Sequence, residues 1–245
     1  MDRFKFAPAH PGEQIVFGAQ RPGYPGRSVS KAEVDEWISF MKRRSIARVC
    51  CLLGANQLAY YQQDLLARYR HAFGEQHVSS APIEDYTLCQ KTTLENDILP
   101  FLVSADSAGA RTVVHCSGGS GRTGHVLAAW LVRRRGLQPE AAIHVVTASG
   151  RNPREAVQCG HATEDQLHQL LAGTHGKPGG GVMTNVEKTK IAQLVGKLRA
   201  SHDELGRLFE SKPQEALRLL DRARDELFDL VTAYEDALDR TSKRA

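Results

Sequence analysis

The sequence lacks several features that mark particular classes of protein. Nowhere do eighteen apolar residues follow one another, and residues 1–14 contain no apolar stretch long enough for a signal peptide. We therefore expect a protein that neither spans a membrane nor is exported. No block of like charge is longer than the triplet Arg133-Arg134-Arg135, and the net charge is only +4. This composition does not indicate a nucleic-acid-binding protein.

Paired cysteine spacing is also missing. The cysteines are odd in number and lie mostly within apolar runs, without a Cys-x-x-Cys pair; they are Cys50, Cys51, Cys89, Cys116 and Cys159. This pattern favours reduced thiols in the cytoplasm. We expect no cofactor and no metal.

The first part of the chain combines helical and strand patterns. An irregular opening rich in Gly and Pro, residues 22–26, is followed by the capping-box pair Ser30 and Glu33. This pair predicts a helix that extends to about Arg44. Residues 47–53 form a short, almost wholly apolar run closed by a glycine, which predicts a buried strand.

The pattern continues in the next sixty residues. A helix is predicted around residues 58–69, and a second strand near residues 78–83. A further helix begins near residue 94 and is expected to kink or restart at Pro100. Together these elements predict an α/β fold.

A strand, a glycine-rich turn and a helix follow in direct succession. The β-branched run at residues 112–114 predicts the strand, and the helix after the turn is expected to end at Gly136. Two more helices are predicted from Pro139 in a first helical turn and from the capping-box pair Thr163 and Gln166.

The chain is expected to divide into three parts. The first, residues 1–173, has a central, mostly parallel sheet flanked by helices. Residues 174–183 have the composition of a flexible linker. Residues 184–245 show helical spacing of apolar residues on both sides of a Pro-containing break, which predicts a helical hairpin or coiled coil. This tail could mediate self-association or bind a protein partner.

The most informative segment is the glycine-rich turn, His115-Cys116-Ser117-Gly118-Gly119-Ser120-Gly121-Arg122-Thr123-Gly124. A thiol attacks phosphorus as a thiolate, and the reference pKa of a free cysteine is about 8.5, so the anion needs stabilisation. Inward-pointing N–H groups of residues 117–122, above the positive end of the helix, would stabilise a thiolate or bind a phosphate. The planar fork of Arg122 can grip two phosphoryl oxygens.

The motif resembles the signature of the protein tyrosine phosphatase superfamily, and the length of chain before it resembles the small dual-specificity branch. The resemblance covers about residues 14–172. It implies hydrolysis of phosphoric monoesters through a phosphocysteine intermediate on Cys116. The hydroxyl of Thr123 could donate a hydrogen bond to the departing thiolate, and His115 could orient the loop through backbone hydrogen bonds.

The resemblance also implies a general acid on a separate loop, about thirty residues before the cysteine. Asp85 lies 31 residues before Cys116 and follows a predicted strand, so we expect it to be this acid. Its neighbour Glu84 is the alternative. Asp97 and Asp106 fall on predicted helices and fit the role less well.

Three further polar residues have two interpretations each. Gln166 resembles in position a glutamine that places water in parts of the superfamily, but a capping role explains it equally without catalysis. Arg151 and Arg154 could border the substrate cleft or belong to a solvated loop.

A second thiol near the nucleophile has two possible roles. Cys50 and Cys51 lie in a predicted strand that could neighbour the strand ending at Cys116. Some superfamily members protect the nucleophile by pairing it with such a cysteine. The alternative is that both side chains are simply small core residues.

The substrate is inferred by elimination. The loop interior carries no lysine, whereas phosphoinositide-directed relatives have basic residues there. It also lacks an asparagine before the arginine, a feature in which it would resemble RNA triphosphatases. Phosphoprotein monoesters (phosphotyrosine, phosphoserine and phosphothreonine) are therefore the expected substrates. The alternatives are a non-catalytic module that binds phosphate, or a phosphatase for a non-protein phosphate whose tail binds a partner.

Overall fold

A computed structural model describes residues 3–173 and the single residue 193. The chain divides into two units, and the first, Met1–Gly176, contains residues 3–173. The predicted linker at 174–183 and the predicted hairpin at 184–245 lie outside the described residues, apart from residue 193.

A five-stranded sheet forms the centre of the first unit. Its strands are Ala7–Pro8 (β1), Val16–Gln20 (β2), Arg48–Cys51 (β3), Val78–Ser80 (β4) and Thr112–Cys116 (β5). The strand order is β1-β2-β5-β3-β4, and β2, β5, β3 and β4 are parallel, while β1 is antiparallel to β2. Every residue of the central strand β5 is buried. The predicted fold of this unit, a mostly parallel sheet flanked by helices, is confirmed.

Helices cover both faces of this sheet. In chain order the α-helices are Lys31–Arg43 (α1), Ala55–Leu58 (α2), Leu65–Phe73 (α3), Lys91–Thr93 (α4), Leu99–Ser107 (α5), Gly121–Arg135 (α6), Pro139–Ala148 (α7), Glu155–Gln158 (α8) and Glu164–Ala172 (α9). Apolar residues of α1 and α3 form one buried cluster against the sheet. Those of α5, α6, α7 and α9 form the cluster on the other face. Within the described part of the chain, no helix is long and apolar enough to cross a bilayer.

Local sequence signals give the ends of several helices correctly. Ser30 caps α1 through the predicted reciprocal hydrogen bonds with Glu33. Gly136 ends α6 in the left-handed conformation, at φ 69°, which glycine adopts at little cost. At the predicted kink, the π-helical turn Leu94–Ile98 joins α4 to α5, which has Pro100 in its first turn. A proline is tolerated there because its missing N–H is not needed.

The single helix predicted around residues 58–69 is wrong. The chain instead forms α2 and α3, separated by residues 59–64. Val29 exchanges backbone hydrogen bonds with this connection, donating to Tyr60 O and accepting from Gln62 N. Asp64 then caps α3 by accepting a hydrogen bond from Ala67 N. A contact with a residue about thirty positions away therefore interrupts the helix.

No element is predicted from the sequence for residues 16–20, where the structure has the strand β2. In the structure it pairs with the whole of β5, from Val16 opposite Thr112 to Gln20 opposite Cys116. This position matters for function, since the strand lies directly beside the residues that lead into the glycine-rich turn.

A buried carboxylate fastens the start of the chain to the end of α6. The side chain of Glu13 is fully buried and accepts two hydrogen bonds from Arg135 and one from Trp130 Nε1. The backbone amides of Ile15 and Val16 donate to the same carboxylate. Burial alone would raise the pKa of Glu13, but the hydrogen bonds and charge of Arg135 outweigh it and hold the pKa below its ordinary value.

Glu13→Gln should lower the free energy of unfolding by about 1–3 kcal/mol at pH 7, because a buried charged network loses one partner. Because the pKa of Glu13 is lower in the folded protein than in the unfolded chain, its carboxylate stabilises the fold at pH values above the unfolded pKa of about 4.5. That stabilisation is lost as the pH falls through the pKa of Glu13 in the folded protein. Urea unfolding from pH 7 down to pH 3.5 should therefore show the free energies of unfolding of the wild type and Glu13→Gln converging.

The control variant is Glu75→Gln, which removes an exposed ion pair with Arg70 and should lower the free energy of unfolding by at most about 1 kcal/mol. Equal losses in the two variants would contradict this account of Glu13.

Candidate active site

The glycine-rich turn joins the end of β5 at Cys116 to the start of α6 at Gly121. Gly119 has φ 64°, and a Cβ there would lie 2.6 Å from the Ala19 carbonyl group of β2. A Cβ on Gly121 would overlap the side chain of Glu155. Gly119 therefore requires glycine for its conformation and for the close approach of the β2 backbone, whereas a side chain at Gly121 would displace Glu155.

A buried guanidinium lies behind this turn. Arg151 is only 3% exposed, and it donates to the carbonyl oxygens of Gly119 at 2.6 Å and Gly18 at 2.7 Å. It also donates to Lys5 O and Ala7 O. Burial lowers the pKa of Arg151 to about 10, while the charge of Cys116 raises it. Arg151 is therefore neither solvated nor part of the cleft wall, and it fixes the turn against β2 and the start of the chain.

A second buried arginine holds the first residue of the turn. The backbone amide of Arg21 donates to Ser117 O at 3.0 Å, and its Nε donates to Ser117 Oγ at 3.2 Å. Its Nη2 donates to Gly26 O at 2.6 Å. The segment rich in Gly and Pro is thereby tied to the turn.

Three acceptors fix the guanidinium of Arg122, which is 2% exposed. Nη1 donates to Gln57 Oε1 at 2.8 Å and to Ile83 O at 3.0 Å. Nη2 forms an ion pair with Asp85 Oδ1 at 2.7 Å, and Gln57 Nε2 donates to the other carboxylate oxygen at 3.1 Å. Arg122 Nε is buried and has no hydrogen-bond partner among the described residues. The guanidinium of Arg122 is thus held in place by the protein on its two terminal nitrogens.

These groups surround a cleft of about 460 Å³. The turn contributes Cys116, Ser117, Gly118, Ser120, Gly121 and Arg122, and the other lining residues are Phe4, Lys5, Gln20, Tyr24, Asp85, Tyr86 and Glu155. Gly119 is not among them, because its carbonyl group faces Arg151. The structure therefore brings Cys116, Arg122 and Asp85 to one cleft, as the sequence predicts.

The loop that carries Asp85 continues the line of β4. Ala81 N donates to Cys51 O, and Ile83 N donates to Leu52 O, so this segment follows β3 towards the cleft. Glu84 is exposed and does not line the cleft. Asp97 is also exposed, and Asp106 pairs with Arg134 and Arg135. Asp85 is the one of the four candidate carboxylates that lines the cleft.

Thr123 and His115 are both buried beside the turn. The hydroxyl of Thr123 has no hydrogen-bond partner among the described residues, and its bond to Cys116 stays a prediction. His115 packs edge-on against Trp37 and Tyr69 at 5.3 and 5.6 Å. Burial lowers the pKa of His115 to about 3, so the ring is neutral at physiological pH. Its side chain does not line the cleft, and its orienting role stays a prediction.

Two other predicted site residues lie away from the cleft. Gln166 is exposed and forms the capping box with Thr163, as the interpretation without a catalytic role predicts. Arg154 pairs with Glu140 and Glu164 and does not border the cleft.

Cys50 and Cys51 both lie in β3, next to β5, where Cys51 is opposite His115. Cys50 shares a core cluster with Cys116, whereas Cys51 belongs to the cluster on the other face. Burial raises the pKa of Cys51 to about 12 and raises that of Cys50 further. Both residues are free thiols. Protection of Cys116 by either of them stays a prediction.

Comparison with known families identifies the domain. Residues 42–169, which are 128 of the 245 residues, match the model of the Swiss Army Knife protein DSP-PTPase phosphatase domain, PTP-SAK. The chain belongs to this family. It is therefore a cysteine-dependent phosphatase of the dual-specificity and protein tyrosine phosphatase group. No curated protein sequence matches the chain.

Solved structures share the fold of this phosphatase. A kinase associated phosphatase with its catalytic cysteine replaced by serine is 20% identical, with a TM-score of 0.52, over 65% of this chain and 86% of that one. PTPMT1 in complex with PI(5)P is 14% identical, with a TM-score of 0.51, over 69% of this chain and 96% of that one. Tk-PTP in the active form is 25% identical, with a TM-score of 0.48, over 64% and 93%. The first two similarities show the fold alone.

Several residues of the phosphatase cleft were missed by the sequence analysis. Lys5 and Glu155 add one charge of each sign to its wall, and Gln57 bridges Arg122 and Asp85. Burial and the charge of Asp85 raise the pKa of Glu155, while the charges of Arg122 and Lys5 and the nearby Gly121 amide oppose this shift. None of these residues belongs to a motif. No cluster of His, Cys, Asp or Glu able to hold a metal ion occurs among the residues that the structure describes.

Gly119→Ala should reduce turnover of an aryl phosphate by at least about tenfold, because its positive φ and the contact with Ala19 both oppose a side chain. Gly118→Ala is the matched control. A Cβ on Gly118 would lie 3.4 Å from the Tyr24 hydroxyl, an ordinary contact, so its loss should be several times smaller. Steady-state kinetics and thermal shift with vanadate measure both effects. Similar losses in the two variants would show that the shape of the turn is not what requires glycine.

Proposed function

We propose that the chain is a dual-specificity protein phosphatase that hydrolyses phosphotyrosine, phosphoserine and phosphothreonine monoesters through a phosphocysteine intermediate. The observation that carries this proposal is the convergence of Cys116, Arg122 and Asp85 on one cleft at a strand–turn–helix junction. Each of the three groups required by such chemistry is then within reach of one phosphate.

In the first step, the thiolate of Cys116 attacks phosphorus, forming the S–P bond while the ester P–O bond breaks. Asp85 gives its proton to the leaving oxygen. The amide groups of the turn and the guanidinium of Arg122 stabilise the charge on the equatorial oxygens. Asp85 lies 2.7 Å from Arg122 Nη2, so the acid is beside the phosphate clamp. Because a carboxylate in an ion pair carries no proton, this pair has to break and Asp85 has to take up a proton before the first step, while the substrate phosphate takes its place on the guanidinium.

In the second step, Asp85 removes a proton from water, the water oxygen attacks phosphorus, and the S–P bond breaks. Inorganic phosphate leaves, and Asp85 is again protonated. Thr123 is proposed to donate its hydroxyl to the departing thiolate, which is consistent with a buried hydroxyl that has no other partner among the described residues. Serine and threonine substrates depend on the acid, since an alkoxide is a poor leaving group.

The walls of the cleft support a protein substrate. Tyr24 and Tyr86 are exposed and line it, and aromatic faces of this kind pack well against a flat phosphotyrosine ring. The turn itself carries no lysine. A phosphoinositide is the second candidate substrate, since the PTPMT1 structure of similar fold contains PI(5)P. A non-catalytic module that binds phosphate is a weaker alternative, because the complete set of reacting groups is present.

The remaining proposals concern the cellular location of the chain and its binding partners. A cytoplasmic location is supported by the five free thiols. The predicted hairpin at residues 184–245 is proposed to bind a protein partner or a second copy of the chain. No nucleic acid is proposed as a substrate.

Cys116→Ser should abolish turnover of p-nitrophenyl phosphate but retain vanadate or phosphopeptide binding, because the amide groups and Arg122 remain. Arg122→Ala should lose both activities, since the charge clamp is gone. Turnover is measured with and without a metal chelator, and binding by calorimetry. Persistent metal-free turnover by Cys116→Ser would contradict the mechanism. A panel of phosphotyrosine, phosphoserine and phosphothreonine peptides beside phosphoinositides then tests the substrate class.

Asp85→Asn should slow hydrolysis of an alkyl phosphate by about 10²–10⁴-fold, the usual range for general acid catalysis. A p-nitrophenyl ester should lose far less, because its leaving group departs without a proton. The ratio of kcat/KM for the two esters measures the effect.

Two other carboxylates provide the controls. Glu84→Gln changes the neighbour that lies outside the cleft and should leave the ratio unaltered. Glu155→Gln changes the other carboxylate of the cleft and should slow both esters alike, because it contacts Gly121 of the turn. A selective loss with the alkyl ester in either control would assign the acid to that residue instead of Asp85.

A further inference from the structure

A lysine from the start of the chain lies in the wall of the phosphate cleft. Lys5 is separated from Cys116 by more than a hundred residues, yet both line the same cleft. Burial and the charge of Arg151 lower the pKa of Lys5, whereas the charges of Cys116 and Glu155 raise it. The ammonium group is therefore partly desolvated and close enough to the reacting centre for electrostatic coupling.

The backbone around this lysine is held in an unfavourable conformation. Phe4 and Lys5 have φ values of 61° and 49°, which side-chain-bearing residues rarely adopt. Such strain persists where surrounding contacts enforce it, and it is concentrated at functional sites.

Contacts on both sides of Lys5 enforce this conformation. Phe4 packs edge-on against Phe40 at 5.3 Å, and Phe6 stacks on Phe17 at 5.0 Å. The carbonyl oxygen of Lys5 accepts a hydrogen bond of 3.1 Å from Arg151. The anchored backbone presents the ammonium group to the cleft without the usual loss of backbone freedom on binding.

The scissile phosphate does not need this cation, because the amide groups of the turn and Arg122 already bind it in the proposed function. A cation at the wall would meet an anionic group on the rest of the substrate. Two cations, Lys5 and Arg122, and two carboxylates, Asp85 and Glu155, are the charged side chains that line the cleft. With equal numbers of cations and carboxylates in its wall, the cleft favours a second anionic group that carries one negative charge over a second phosphate that carries two.

We propose that Lys5 binds an acidic side chain next to the phosphorylated residue of a protein substrate. The inference rests on the proposed function, and it makes the start of the chain a determinant of substrate choice. Because Lys5 is only partly buried, the interaction should weaken as salt screens it.

The test compares two phosphotyrosine peptides that differ only in having Glu or Gln at the two flanking positions. The wild-type chain should hydrolyse the Glu peptide with a kcat/KM about five- to tenfold higher at low salt, as expected for a partly buried charge pair. Lys5→Met should abolish this ratio, Lys5→Arg should retain it, and added salt should reduce it in the wild type. Because the kcat/KM ratio compares two peptides in the same protein, it is independent of any effect of Lys5 on Cys116 that is common to both peptides.

Lys31→Met is the matched control, since Lys31 is exposed at the start of α1 and does not line the cleft. A preference that survives in Lys5→Met, or that is lost equally in Lys31→Met, would overturn the inference. Equal hydrolysis of both peptides by the wild type would overturn it while leaving the proposed function intact. Turnover of an aryl phosphate without turnover of either peptide would overturn both.

Discussion

Four backbone carbonyl groups converge on the guanidinium of Arg151, and the site depends on this contact. They come from the start of the chain, from β2 and from the phosphate-binding turn. Placing a charged group in the interior costs several kcal/mol unless its donors are satisfied, and here Nη1 and Nη2 are. Because the acceptors belong to three separate segments, one side chain fixes their mutual positions. These contacts hold the turn in its shape without a bound anion, which in the proposed function favours stabilisation of the charge on a phosphate.

Arg122 is prepared in a similar way from the opposite side of the cleft. Gln57 contacts both Arg122 and Asp85, so the amide fixes the two side chains together. In the proposed function, a phosphate bound at Arg122 replaces Asp85 as the anion on the guanidinium, and Gln57 lies beside the positions of both side chains. The Glu13 network acts at the other end of α6, where it secures Arg135. The helix that begins beneath the phosphate-binding turn is thereby held at both ends.

Features encoded in consecutive residues could be predicted from the sequence. The turn is one unbroken motif, and the capping boxes at Ser30 and Thr163 are local patterns that the structure reproduces. The distance of Asp85 from Cys116 along the chain, which is characteristic of the resemblance, singles out a residue that lines the cleft, and its role as the acid stays a prediction. Contacts between segments that are distant along the chain could not be predicted. Gln57 meets Arg122 across 65 positions, and Arg151 meets Lys5 across 146, distances over which no local pattern operates. The wrong helix at residues 58–69 has the same origin, since its interruption is imposed by Val29.

The match to the family begins at residue 42, whereas Lys5 and Tyr24 of the cleft wall precede it. In the proposed function, chemistry and selection are therefore encoded in different stretches of the chain. Two enzymes could share the stretch that breaks the phosphate ester and still differ in the proteins they act on, through changes confined to their first few dozen residues. Arg151 donates its hydrogen bonds to main-chain oxygens, which every amino acid supplies. Side chains at positions such as Lys5 can therefore change without loss of the contacts that Arg151 makes to the turn, whereas Arg21 holds Ser117 through its own side chain.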